Sequence, residues 1–142
     1  MQLVALASFM PLIAAMGGNV GSQSATIVVR SLALGELKQE DWGRVTLREA
    51  AVGLLLGSFY ALVVAVAAYV LYGARLGWPF ALVVAISTWA SMTIATTIGS
   101  FVPFALQAAK SDPATATGPI VTTVTDILAT GAYLALATFL LL

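Results

Sequence analysis

Four apolar stretches, residues 3–29, 50–72, 78–108 and 119–142, decide the fold class before any motif is considered. Each meets or exceeds the ~20 residues that carry a helix across a ~30 Å hydrocarbon core. None alternates polar and apolar residues with the two-residue period of a barrel strand. In lipid only helices or closed barrels satisfy their own backbone. The chain therefore reads as an all-α integral membrane bundle of four transmembrane helices, one domain over residues 1–142, joined by connections at 31–49 and 109–118. Charged residues make up 8% of the chain, against about a quarter in a soluble domain. Six basic residues balance six acidic ones, so there is no basic surface for nucleic acid. Cys and His are absent, which removes thiolate and imidazole chemistry and the ligands of softer metals. No nucleophile–base set is visible, and an enzyme is not expected.

Basic residues set the orientation. Arg30, Lys38, Arg44 and Arg48 lie in or beside the first connection, Lys110 in the last, and only Arg75 between the second and third spans. The positive-inside rule makes the side holding five of six cytoplasmic and places both termini outside. A start outside without a signal sequence is awkward, so a preceding helix and a cytoplasmic domain are expected to be missing from this chain. The expected location is a prokaryotic inner or plasma membrane.

The first span holds Pro11 and then Gly17-Gly18-Asn19-Val20-Gly21-Ser22-Gln23. Gly17 and Gly21 have the spacing that lets helices approach closely. Asn19 and Gln23 share a face that Ile27 continues. Pro11 and the glycines predict a local break exposing carbonyl oxygens, which is tolerated at depth only against protein or water. A packing seam with two bonded amides is the alternative. In the first connection, Thr46 and Glu49 have capping-box spacing and predict a helix start there, and Trp42 suits the headgroup level. Gly53 and Gly57 mark the second span as scaffold or a dimer face. The third span begins at Trp78-Pro79, is dense in Ser and Thr, and predicts a kink at Gly99 and Pro103. Asp112 and Pro113 read as N-cap and first helical residue, with Gly118-Pro119 restarting the last helix.

Within that last span sits Asp126, the one acidic residue placed at membrane depth. A carboxylate there is costly, by a few kcal/mol on insertion scales, and marks function by default. Thr122, Asp126 and Thr130 lie on one face, with Thr123 beside them, a polar stripe suited to lining a pore. Oxygen ligands fit hard cations, and Mg²⁺ keeps most of its waters because it dehydrates reluctantly. One carboxylate is thin compensation for a 2+ charge; a twofold dimer would supply two. The bland alternative makes Asp126 a protonated or hydrogen-bonded tie to Asn19, Gln23 or a threonine.

The Pro11 and Gly18-Asn19-Val20-Gly21-Ser22-Gln23 stretch resembles the transmembrane domain of MgtE-type magnesium channels, related to the solute-carrier 41 transporters. The likeness continues in Arg30-Ser31-Leu32-Ala33-Leu34-Gly35-Glu36, in Gly99 with Pro103, and from Asp112-Pro113-Ala114 through Gly118-Pro119, Thr122-Thr123 and Asp126. The resemblance implies a homodimer with a Mg²⁺ pathway near the subunit interface. Asp126 would bind the hydrated ion, with Gly18, Asn19, Gly21 and Gln23 beside it and Thr122, Thr123 and Thr130 as further lining candidates. The family usually has five transmembrane helices and a cytoplasmic region that senses Mg²⁺ and closes the pore. A secondary divalent-cation transporter and a non-transporting assembly module remain alternatives.

Overall fold

The computed structural model describes residues 2–141, so Leu142, the end of the last expected span, lies outside the described residues. It is built from α1 (Gln2–Ala33), a short 3-10 turn (Gln39–Asp41), α2 (Trp42–Ala108) and α3 (Pro113–Leu141). All three helices are long and apolar enough to cross a membrane. The 67 residues of α2 would reach about 100 Å if straight, at 1.5 Å per residue. They do not run straight, because Gly77 breaks the helix at φ 73°, ψ 179°. That conformation is open essentially to glycine alone. Pro79, which has no N–H to donate, follows at the start of the second arm.

The two arms of α2, residues 42–76 and 78–108, fold back on each other. Tyr72 stacks edge-on to Phe80 near the break, with ring centroids 5.7 Å apart, and Trp42 meets Phe101 at 5.9 Å near the far end. Between them the Trp89 indole N–H donates to the Leu54 carbonyl and to Ser58 Oγ, both at 3.1 Å. Gly53 and Gly57 are buried against this second arm, so their small-residue face is used within the chain.

Lipid gives helices no hydrophobic reason to associate, so close packing must hold the bundle. Two kinds of packing do so. At the end carrying the chain termini, Leu6, Phe9, Ile13, Phe80, Val84 and Tyr133 form a buried core of large side chains. Toward the other end the contacts are between small residues. A Cβ on Gly21 would lie 2.7 Å from Thr125 Cγ2 and 3.0 Å from the Ala95 carbonyl, and one on Gly99 would run into the Gly21 carbonyl. There α1 and the second arm of α2 meet backbone to backbone, and α3 packs on α1 through the short side chains of Thr125 and Ala129.

Several boundaries differ from the sequence reading. The helix after the first connection starts at Trp42, eight residues before Ala50, so the connection shrinks to residues 34–41. Thr46 and Glu49 therefore sit inside α2 and cap nothing; the Glu49 carboxylate instead accepts a 2.8 Å bond from Ser24 Oγ. Helix α1 is continuous through Pro11 and the glycines, and α3 through Gly118 and Pro119, so neither the expected break nor the expected restart occurs. The missing N–H of Pro11 frees only the carbonyl four residues earlier, at Ala7. That carbonyl is about 16 Å along the axis from Gly18. Backbone dihedrals also stay helical through Gly99 and Pro103, with the break at Gly77 instead.

The caps that close the elements are local. Asp112 Oδ1 accepts the Ala114 N–H at 2.9 Å and starts α3. Gly35, at φ 72°, ends α1 in a Schellman turn, with the Glu36 N–H reaching the Ser31 carbonyl. The Lys38 N–H donates to Asp41 at 2.9 Å; this bond, with the nearby Arg44 charge, holds the Asp41 carboxyl below the usual carboxylate range.

The crossing of small residues makes a direct prediction. Gly99→Ala should destabilise the fold by about 1–3 kcal/mol, as overpacking does. Gly131→Ala, where a Cβ meets nothing within 4 Å, should be neutral or slightly stabilising. Denaturant unfolding in detergent micelles separates the two, and equal stability of both variants would contradict the crossing.

Candidate functional site

Asp126 stands one residue after Thr125, whose buried side chain packs at the Gly21 crossing. Helix geometry turns Asp126 about 100° away from that contact, onto the side of α3 that faces α1 near Gly18. A Cβ on Gly18 would lie 3.2 Å from Asp126 Oδ1, so the glycine leaves the space the carboxylate uses. Together Ala14, Ala15, Gly18, Asn19, Ser22, Thr122 and Asp126 line a cleft of about 260 Å³ between α1 and α3. A second cleft of about 510 Å³ adjoins it, lined by Asn19, Ser22, Gln23, Thr26 and Ile27.

The polar groups here are not consumed by the fold. Asp126, Asn19 and Gln23 are exposed on the side of the bundle. Among the described residues none of their side chains makes a hydrogen bond, and the one ion pair is Arg44–Asp41, far along the chain. Thr122 spends its hydroxyl proton on the Gly118 carbonyl at 2.8 Å, leaving its oxygen lone pairs facing the cleft. Other hydroxyls are structural. Ser91 donates to Ser87 in its own helix and shares its proton with the Ala129 carbonyl on α3, both at 2.8 Å. Thr88, Thr93 and Thr97 each bond the carbonyl four residues back.

Of the residues singled out from the sequence, Gly18, Asn19, Thr122 and Asp126 converge on one cleft and Gln23 lines its neighbour. Gly21 is buried in the helix crossing and faces away from the cleft. Thr123 is exposed and bonds the Pro119 carbonyl at 2.8 Å without lining either cleft. Thr130 is half-buried, with its hydroxyl unpartnered. Ser22, shared by both clefts, and Thr26 were missed. Their signal was the i, i+4 row Gly18–Ser22–Thr26, one residue round the helix from the Asn19–Gln23–Ile27 row. No cluster of three or more acidic, His or Cys residues occurs among the described residues.

A bundle of apolar helices with an unpartnered carboxylate at mid-span defines an integral membrane protein with a polar lateral site. Residues 10–136 match the family model for the MgtE divalent cation transporters, and the chain belongs to that family. It is 37% identical to the magnesium transporter MgtE of Bacillus subtilis (strain 168) over 96% of its own length. It is also 37% identical to magnesium transporter MgtE of Thermus thermophilus over 98%, and 33% to that of Enterococcus faecalis over 86%. In the first two comparisons the chain spans 30% of the relative's length.

Because Asp126 ties nothing inside the chain, Asp126→Asn should leave the unfolding free energy within about 0.5 kcal/mol of the parent. Ser91→Ala, which removes an interhelical bond, should lower it by about 0.6–1.7 kcal/mol. A large loss in Asp126→Asn, measured in the same micelles, would reveal a structural bond to the carboxylate.

Proposed function

We propose that this chain is the pore-forming domain of a magnesium transporter and that hydrated Mg²⁺ permeates, channel-like, along the α1/α3 face. The observation that carries this reading is an exposed, unbonded carboxylate at mid-span beside a cleft about 260 Å³ in volume. Six waters at ~30 Å³ each occupy roughly 180 Å³, so the cleft has room for an ion with its hydration shell. A bare Mg²⁺ would need near-octahedral ligands at about 2.0–2.1 Å, and one carboxylate, one amide and one hydroxyl do not build that cage. They do offer oxygen acceptors to the ion's waters. The names of the relatives, all magnesium transporters, support the choice of ion.

The same face argues for two copies. Asp126, Asn19 and Gln23 cannot rest against lipid tails without several kcal/mol of desolvation. A twofold partner placed on α1 and α3 would enclose the clefts and bring a second Asp126 to the axis, doubling the negative charge against the ion. On this reading the break at Gly77 turns α2 into two crossings, giving four spans. All charged residues except Arg75 and Asp126 cluster at one end, which the positive-inside rule makes cytoplasmic, with both chain ends outside and the membrane a prokaryotic inner or plasma membrane. A secondary transporter is the competing mechanism, and the continuous helices α1 and α3 lack the broken segments such carriers use.

Mg²⁺ flux into proteoliposomes tests the proposal. Wild-type chain should conduct, and Asp126→Asn and Asp126→Ala should lose at least tenfold of the flux while remaining dimeric in detergent. Undiminished flux in dimeric Asp126→Ala would refute the assignment.

A further inference from the structure

Conduction along the two clefts depends on which way α1 is turned, because Asn19, Ser22 and Gln23 all reach them from its surface. A side-chain tip ~5 Å from a helix axis moves nearly ~3 Å when the helix turns by about 30°, more than a hydrogen bond tolerates. Beyond Gly21, toward the charged end, the packing of α1 opposes such a turn only weakly. Its buried side chains there are Ser24, Ala25 and Val28, all short. Gly17 and Gly21 meet their neighbours with no side chain at all.

Among the described residues, a single side-chain hydrogen bond joins this half of α1 to another helix. Ser24 Oγ donates to the Glu49 carboxylate, on the first arm of α2, at 2.8 Å. The other two such bonds of α1, Ser8 with Tyr72 and the Leu6 carbonyl with Tyr133, lie at the opposite end. Ser24 is buried and Glu49 half-buried, and among the described residues no cation lies within 4.0 Å of the Glu49 carboxylate. The hydroxyl is therefore what holds this carboxylate, and an ionised acceptor makes the stronger and shorter kind of bond. At 100° per residue Ser24 points about 140° away from Asn19 and about 160° away from Ser22, so the bond sits on the back of α1. Glu49 lines neither cleft. We propose that Glu49 is a positioning residue for ion conduction: through Ser24 it fixes the rotation of α1 and keeps Asn19, Ser22 and Gln23 turned to the ion's hydration shell. This role rests on the Mg²⁺ route proposed above.

Two measurements on the full chain test it. The first is the Mg²⁺ concentration that gives half-maximal flux into proteoliposomes. Glu49→Ala and Ser24→Ala should each raise it about tenfold, the low end for groups that orient the ligands of an ion. The double variant should be no worse than either, because both remove one bond. Glu49→Gln, whose amide oxygen still accepts the Ser24 proton, should stay within about threefold of wild type. Glu49→Gln as impaired as Glu49→Ala, with Ser24→Ala silent, would mean that the charge attracts Mg²⁺ directly and would overturn the positioning role. Additive losses in the double variant would overturn it too. The second measurement needs no conduction. The chain has no Cys, so Asn19→Cys and Thr122→Cys, on the two walls of one cleft, can be joined by a short bifunctional thiol reagent in detergent and read by mass spectrometry. Ser24→Ala should slow that cross-link several-fold, and Glu49→Gln should leave its rate as in the parent pair. Asp126→Asn that conducts like wild type sinks the ion route, and the conduction role of Glu49 with it, while the cross-linking rate still shows whether the bond sets α1. Should Glu49→Ala not fold, Ser24→Ala decides: wild-type half-saturation and an unchanged cross-linking rate remove the proposal.

Discussion

The near-contact of Gly21 with Gly99 is the interaction on which the rest of the bundle depends. In water a helix pair can be held by burying large apolar side chains, because water expels them. In lipid that force is absent, and attraction must come from close van der Waals contact and from bonds across the gap. The absence of side chains at Gly17, Gly21 and Gly99 lets α1 and the second arm of α2 approach until backbone meets backbone, with Thr125 and Ala129 of α3 seated on the same glycines. The Ser91 hydroxyl, shared with the Ala129 carbonyl, then adds a directional bond at the same level. Once α1 and α3 are locked there, Gly18 and Asp126 have no freedom to separate. The site is a consequence of the crossing one residue away from it.

The crossing sets where the carboxylate stands at mid-span, and that carboxylate has no hydrogen-bond partner among the described residues. A buried ionic group in a structural role is paired, because an unpaired one carries its whole desolvation penalty. Here Asp126 has no donor within the chain, although Asn19 and Thr122 line the same cleft and could have been turned toward it. Helix geometry holds the three groups around a shared space and leaves that space open. Such an arrangement is stable in a membrane only if water, an ion or another copy fills the opening. The same logic separates Asp126 from Glu49, whose carboxylate is half-buried but accepts the Ser24 proton and thereby joins α1 to α2.

Element types were legible in the sequence because they follow from lipid alone: long apolar runs must be helices. Asp126 stood out for the same reason, as the one charge inside an apolar run. The Asp112 cap could be read because one side chain makes it. Helix ends were harder. Residues 42–49 are helical despite Arg44, Arg48 and Glu49, because a helix continues beyond the hydrocarbon while its charged side chains reach water. Proline and glycine misled in α1 and α3, where neighbouring helices override local propensity, whereas the break at Gly77 falls between the second and third expected spans. The roles of Ser22 and Gly21 were also illegible. They sit next to each other, yet one faces the clefts and the other the crossing, and only the rotation of α1 against its neighbours distinguishes them.

The two halves of the bundle divide the mechanical work. Near the chain termini Leu6, Phe9, Phe80 and Tyr133 interlock, and the Tyr133 hydroxyl donates to the Leu6 carbonyl at 3.2 Å. Bulky interlocked side chains resist sliding, since any shift forces several of them out of their rotamers. Small-residue contacts resist approach but have few knobs to oppose rotation. Asp126 lies where the first kind of packing gives way to the second. Toward the charged end a further cleft of about 310 Å³ lies between α1 and α3, bordered by Ala25, Val29, Arg30 and Thr117. A helix pair interlocked at one end and crossing closely at Gly21 holds Asp126 in place beside Gly18.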